Sequence, residues 1–369
     1  MTVTRTVPTP GKQARDVRSG MPDPEITHAT FVARFFERFD DPRFEDQHAA
    51  ILALAETAWS NHTDGRKAPR SAPAGAGYAD PAYDLSDEWR ATSERLKAAA
   101  TTQRDRATPS RVLLVCASPR SEHTCPGEMS KSYRLVEAAR AVITGSGLEC
   151  DVLELGRVVS EYGRHIHPCK ACVSTAMPLC HWPCSCYPNH GMDQAQDWMA
   201  ELYERWTLAH GVMIVTPVHW NSPPGPLKLM MDRLVCADGG NPDPTSTQGK
   251  DATLGKQLEL DDWDFPQHLA GRAFAVVVHG DSEGTQAVRH ALHDWLIGMG
   301  LHDSGPYGQI DRYIGYYKPY ATSHAELDDA DRPVLEETRN AARALVEQVA
   351  RVRSGTADVG DALDMPRQK

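Results

Sequence analysis

Two unbroken apolar runs, Val112-Leu113-Leu114-Val115 and Ala275-Val276-Val277-Val278, constrain this chain more than any other feature. A strand with one solvated face alternates apolar and polar residues, whereas a run apolar throughout must be covered on both faces, as in a parallel sheet between helix layers. Neither run approaches the ~20 residues that a bilayer-crossing helix needs, so no membrane span is expected. Between such runs the spacing becomes helical. From Ser130 to Thr144, Leu135, Val136, Ala139, Val142 and Ile143 share one stripe, and from Asp193 to His210, Trp198, Leu202, Tyr203 and Trp206 share another. Strands are predicted at 111–116, 149–155, 211–216, 273–279 and, more weakly, 309–313. Further helices are predicted over 226–236, 284–298 and 333–351.

Five strands alternating with helices through right-handed crossovers give an α/β doubly wound parallel sheet in the flavodoxin-like order 2-1-3-4-5. Its ligand crevice lies beyond the carboxyl ends of strands one and three. This domain is predicted to span 106–355, with a cysteine-rich insertion at 165–190 and a lid-like or interface insertion at 237–270, which is rich in Gly, Pro and Asp and long for a connection. Residues 1–105 form an N-terminal arm and helical extension. Pro8, Pro10, Pro22 and Pro24 mark the arm. Phe31, Phe35 and Phe39, then Ile51, Leu54, Ala55 and Trp59, mark two amphipathic helices broken at Asp41-Pro42. The stretch 60–83 reads as a loop, and Ser86 caps a further helix that reaches about Ala100. Residues 356–369 read as a flexible tail. Lys plus Arg total 39 against 50 Asp plus Glu, a formal charge of -11 that argues against nucleic-acid or anionic-lipid partners. The N-terminus lacks the apolar stretch of a secretory signal, so a cytoplasmic location is expected.

The chemistry is expected on the strand-end loops. After strand one comes Cys116-Ala117-Ser118-Pro119-Arg120-Ser121-Glu122-His123-Thr124, leading to a helix start near Ser130 and Ser132. Hydroxyls, an Arg and free helix N–H groups suit a phosphate monoester; the plain alternative is a capped helix behind a polar loop. No G-x-G-x-x-G or P-loop signature appears. After strand three comes Thr216-Pro217-Val218-His219-Trp220-Asn221-Ser222-Pro223-Pro224-Gly225, a stiff wall able to face a flat ring, or a rigid turn carrying a surface Trp. Lys228, Asp232 and Arg233 follow as an ordinary ion-pair face.

The pattern S-P-R…T after strand one, with P-V-x-W…L-K…D-R after strand three, resembles the NADPH-dependent FMN reductase and iron-sulfur flavoprotein branch of the flavodoxin-like flavoproteins, over about residues 110–300. The resemblance implies FMN phosphate contacts from Ser118, Arg120, Thr124, Ser130 or Ser132. It implies ring contacts from Pro217, Val218, His219, Trp220 and Asn221, with His279, Gly280 and Asp281 closing the other side. His219 stands where relatives usually carry Tyr and is the preferred catalytic proton donor. NADPH or NADH is the implied reductant.

Five of nine cysteines, Cys169, Cys172, Cys180, Cys184 and Cys186, fall within residues 169–186. Their spacing offers enough thiolates for a [4Fe-4S] cluster or a zinc ion, and metal-free thiols or a redox disulfide are the third reading. In iron-sulfur flavoproteins a compact cysteine motif occupies this same insertion. His165, His167, His181 and His190 flank the segment, and Cys116, Cys125, Cys150 and Cys236 read as scattered buried thiols. The aromatic run Tyr313, Tyr316, Tyr317 and Tyr320, with His324, can cover a flat ligand or pack internally. The expected function is an FMN-dependent NAD(P)H oxidoreductase passing electrons to a quinone, nitro compound or other small acceptor. The alternative is an iron-sulfur electron carrier or redox sensor with no substrate of its own. A homodimer or higher homo-oligomer is expected, because flavodoxin-like reductases commonly pair to build the flavin pocket.

Overall fold

The computed structural model describes residues 25–63, 68–120, 130–161, 163–187, 194, 196–315 and 327–357. The helices are α1 (His28–Phe36), α2 (His48–Thr63), α3 (Asp87–Arg104), α4 (Lys131–Gly145), α5 (Arg157–Ser160), α6 (Met199–Leu208), α7 (Gly225–Arg233), α8 (Ala252–Leu260), α9 (Thr285–Gly298) and α10 (Arg332–Ser354). The strands are β1 (Ser71–Pro73), β2 (Asp84–Ser86), β3 (Arg111–Cys116), β4 (Glu149–Glu154), β5 (Gly211–Pro217), β6 (Ala273–Gly280), β7 (His302–Asp303) and β8 (Gln309–Tyr313).

The central sheet runs β4-β3-β5-β6, and β6 pairs on its other side with both β7 and β8. Every pairing in it is parallel. This is the flavodoxin-like order read from the sequence, with the fifth position split in two. The apolar runs explain why the sheet is buried on both faces. All eight residues of β6 are buried, and alternate side chains feed two cores. Leu113, Val115, Ile214 and Val276 face α6, α7 and α9, while Leu114, Val215 and Val277 face α4 and α10. Each such buried aliphatic side chain contributes roughly 1.5–3 kcal/mol of transfer free energy.

Helix limits follow local chemistry. Ser86 Oγ accepts the Trp89 amide and Ser130 Oγ the Tyr133 amide, capping α3 and α4 at the expected hydroxyls. Helix α6 starts at Met199, later than the predicted Asp193, and the Asp197 carboxylate just before it is held by Arg233. The predicted 226–236 helix ends at Arg233 and tightens to a 3-10 turn over Leu234–Ala237. The 60–83 stretch contains β1, which pairs antiparallel with β2. Helices α1 and α2 pack through Phe31 and Trp59, with ring centroids 5.3 Å apart, and no α1 residue is buried. No described helix is long and apolar enough to cross a membrane.

The 237–270 insertion packs on the cysteine-rich segment. Asn241 N donates to the Cys180 carbonyl at 2.7 Å, Trp182 N donates to the Asn241 carbonyl at 2.8 Å, and Gly255 in α8 lies against Leu179. The extension joins them from outside: Trp89 Nε1 donates to the Pro183 carbonyl at 2.8 Å, and the Ala79 amide to Asp243 Oδ2 at 2.8 Å.

Candidate functional site at the carboxyl edge of the sheet

Strands β3 and β5 are neighbours, yet the chain leaves β3 toward β4 and returns on the other side to β5, so their carboxyl ends open a crevice at a topological switch point. Three hydrogen bonds hold the surrounding loops together. Ala117 N donates to the Val215 carbonyl at 2.9 Å, Val218 N to the His279 carbonyl at 2.9 Å, and Ile314 N to the Gly280 carbonyl at 2.8 Å. The loops expected to carry the chemistry therefore share one edge.

On one side of the crevice stands the start of α4. Ser118, Ser130 and Ser132 are all buried. Ser118 Oγ accepts the Arg120 amide at 3.3 Å, and Arg120 is half-buried. Ser132 Oγ lies 2.8 Å from His279 Nε2, tying the helix start to the end of β6. Burial, reinforced by the charges of Lys131 and His219, pushes the His279 imidazole down to about 3, so it is neutral and pairs with the serine as an uncharged group. Thr124 lies outside the described residues.

The other side is the tip after β5. His219 N donates to the Ser222 carbonyl at 2.9 Å and Ser222 N to the His219 carbonyl at 3.0 Å, closing a two-residue turn. Trp220 and Asn221 occupy it with φ of 53° and 60°. Positive φ at both central positions is the mirror-image turn that favours Asn and Gly, so a Trp here is costly backbone geometry. The turn holds Trp220 95% exposed. Pro217 is half-buried, Val218 buried, and His219 and Asn221 exposed. Partial burial of its ring lowers the His219 imidazole below the usual histidine value, with Asp281 pulling the other way. Gly280 is buried beside Val218, and Asp281 is exposed at the rim.

Two contributors escaped the sequence reading. Lys131 follows the capping serine, and its Nζ reaches Gly315 so closely that a Cβ there would sit 1.8 Å from it. A Lys directly after a helix-capping Ser was the available signal. Gly284, at φ +107°, packs so tightly on the turn that a Cβ would lie 2.8 Å from Asn221 Cα. Of the aromatic run, Tyr313 ends β8 and is exposed, while Tyr316, Tyr317, Tyr320 and His324 lie outside the described residues.

The cysteine-rich segment forms a second cluster. Cys172 Sγ lies 3.2 Å from Cys186 Sγ. A hydrogen bond from Cys186, and then the charge of Lys250, bring the Cys172 thiol down to about 6 against the opposing effect of burial. The neighbouring Cys186 thiol and burial hold the Cys184 thiol well above the ordinary value, and the neighbouring Cys236 thiol and burial raise Cys180 likewise. Cys236, expected to stand alone, thus joins the cluster, whereas Cys169 Sγ accepts the Ala171 amide at 3.4 Å. Among the described residues no three His, Cys, Asp or Glu side chains are arranged to hold a metal ion. Cys186 interacts with both Cys172 and Cys184, and Lys250 acts on all three. His181 is buried between Ser185 and Thr247, and His167 stacks on Tyr187, both as structural contacts. Cys125 and His190 lie outside the described residues.

Residues 110–312 match the family described as NADPH-dependent FMN reductase. No curated protein matches the sequence. Among solved structures, RosB with a bound 8-demethyl-8-formylriboflavin-5'-phosphate intermediate is 14% identical, covering 70% of this chain and 95% of that one with a TM-score of 0.40. The NAD(P)H:quinone oxidoreductase of Methanothermobacter marburgensis is 18% identical, covering 64% and 96% with a TM-score of 0.37. An apo NADH:FMN oxidoreductase is 17% identical, covering 70% and 97% with a TM-score of 0.35. The family match takes in more than half of the 369 residues and contains the three strands whose ends frame the crevice; the chain belongs to the NADPH-dependent FMN reductase family, as an NAD(P)H-dependent flavin oxidoreductase.

Proposed function

We propose that this chain holds FMN in the crevice between the loops after β3 and β5, draws reducing equivalents from NADPH or NADH, and delivers them to a small acceptor such as a quinone or nitro compound. The observation that carries this reading is the shared edge. Buried hydroxyls and a helix start lie on one side, and a rigid exposed aromatic turn on the other.

The residues fit the cofactor chemically. Ser118, Ser130 and Ser132, with the first amides of α4, Lys131 and Arg120, supply donors and positive potential for a phosphate monoester without a metal. Thr124 belongs to the same proposed set. Pro217, Val218, Trp220 and Asn221 would face the flat ring, joined by His279, Gly280 and Asp281 from the neighbouring strand end. When bound, FMN supplies the redox chemistry, accepting a hydride equivalent and releasing electrons to the acceptor. His219 carries a proton on its neutral ring at the rim, where an acceptor would gain one. We include a homodimer in this reading, since Trp220 and the uncovered α1 present apolar surface that a second copy can cover.

Titration of the purified chain with FMN, followed by flavin fluorescence, tests the cofactor site; absence of saturable binding refutes it. Oxidation of NADPH and NADH, with and without benzoquinone or a nitroarene, tests the acceptor. Binding without acceptor-dependent turnover would instead favour a carrier or sensor. Light scattering that returns a monomer at micromolar concentration removes the dimer.

A further inference from the structure

Outside the flavin crevice, the molecule gathers its thiols around one lysine. Cys172 and Cys186 meet at 3.2 Å, although they stand 14 positions apart in the sequence. The Lys250 ammonium donates to the Leu179 carbonyl and acts electrostatically on Cys186, Cys172, Cys184 and Cys180. The surrounding chain fixes this approach. The Tyr187 hydroxyl donates to the Pro168 carbonyl, Lys170 lies 4.6 Å from the Tyr187 ring centroid, and Arg233 lies 4.4 Å from it. Cys172 and Cys186 are half-buried, and Cys172 adjoins the exposed residues Ala171, Ser174 and Thr175, which leaves a route for a small reagent.

We propose that Cys172 and Cys186 are a redox-active dithiol, converted to an intramolecular disulfide by low-molecular-weight disulfides. A covalent S–S bond is about 2.05 Å, so the two sulfurs need to close only about 1 Å. The Cys172 thiolate attacks one sulfur of the reagent RSSR. The reagent's S–S bond breaks, and RS⁻ leaves and takes up a proton. Cys186 then gives up its proton and attacks the Cys172 sulfur of the mixed disulfide, expelling the second RS⁻, which is protonated in turn. Two protein thiols and one RSSR become one protein disulfide and two RSH. The protein loses two electrons and the reagent gains two. The Lys250 charge favours the attacking Cys172 thiolate, and Cys184, a free thiol near Cys186, borders the pair without joining the bond. The proposal stands apart from the flavin reading, because its readout is the state of the thiols.

The experiment uses the reduced full-length chain with glutathione disulfide as probe, followed by acid quench, alkylation, digestion and mass spectrometry. The expected product is a Cys172–Cys186 link with loss of two hydrogens, reversed by dithiothreitol. C186S should stop at a single glutathione adduct on Cys172, C172S should lose both adduct and link, and C150S should behave as the parent chain. If C172S fails to fold, the adduct trapped in C186S still decides the matter. Three results overturn the proposal: no Cys172 adduct in folded C186S, a parent-chain link joining Cys184 to Cys186, or stoichiometric zinc or iron that blocks alkylation of these thiols.

Discussion

The carboxyl edge of the sheet and the thiol cluster are built on opposite principles. At the edge, short loops hang from strands whose register fixes them, so Ser118, Pro217 and His279 take their places from the ends of β3, β5 and β6. Around the thiols, position is fixed by contacts between stretches far apart in sequence. Arg233 from α7 holds Asp197 and the His167 carbonyl, Asn241 holds Cys180, and Trp89 reaches Pro183. The edge gets its order from one sheet, whereas the cluster needs the extension, the cysteine-rich segment and the 237–270 insertion together. Damage to one should therefore leave the other working.

The largest expected effect tests that independence. Arg233 is 1% exposed along its side chain and Asp197 11%, and Arg233 Nη1 lies 3.0 Å from Asp197 Oδ1. Removing one member of a buried pair leaves an uncompensated charge, which typically costs about 3–5 kcal/mol. D197A should lower the urea midpoint by that equivalent and speed alkylation of the half-buried cysteines, while the FMN dissociation constant of the protein that remains folded stays within about twofold. A parallel loss of FMN affinity would show the two regions to be one cooperative unit.

The mirror experiment strikes the edge. Gly284 adopts φ +107°, and a methyl there would press on Asn221 at 2.8 Å. G284A should cost roughly 1–3 kcal/mol in a thermal or urea melt and displace the turn carrying Trp220. Each 1.4 kcal/mol lost in ligand contact weakens FMN about tenfold. Cys172 reactivity should stay unchanged.

The same contrast sets what the sequence disclosed. The sheet order was legible because β3, β5 and β6 carry unbroken apolar runs, and such strands have few alternatives to a covered parallel sheet. The edge loops were legible in position, since the strand order dictates where Ser118 and His219 emerge. Contacts across the edge were not, because Lys131 against Gly315 and Gly284 against Asn221 join loops whose relative height periodicity does not encode. In the thiol region the density of cysteines was plain, but their arrangement was hidden. Cys236 looked solitary because its partner Cys180 is brought to it by tertiary folding, and Lys250 lies 64 positions beyond Cys186.

Acid should separate the two edges of the sheet by a smaller increment. His279 at the carboxyl edge is driven down to about 3 by burial. His210 at the amino edge is driven down to about 4, again first by burial, and its Nδ1 accepts the Arg111 amide at 3.0 Å. An unfolded histidine titrates near 6.5, so between that value and each folded value the unfolded chain binds the extra proton. Stability is therefore full above about pH 6.5 and falls as the pH drops, by about 1.4 kcal/mol per pH unit for each such histidine. H279Q, which keeps a hydrogen-bonding group for Ser132, should remove one proton from that slope in urea melts taken at pH 7, 6 and 5. An unaltered slope would place the acid sensitivity elsewhere, with His210 as the next substitution to make.

The smallest effect on folding should accompany a clear effect on ligand. Trp220 is 95% exposed and sits in a turn that a bulky residue enters only at a backbone cost. Replacing it by Ala removes no buried surface, so the melt should move by less than about 0.5 kcal/mol. Its replacement by Gly should stabilise slightly, because positive φ is free of penalty there. A side chain held against local preference and turned toward solvent is understandable if a ring or a second copy of the chain completes the site. W220A should then raise the FMN dissociation constant or the acceptor KM by about tenfold, the size expected when one aromatic contact is lost. Unchanged stability with unchanged binding and unchanged oligomeric state would strip this turn of its part in the flavin crevice, leaving the buried serines and Lys131 to define it alone.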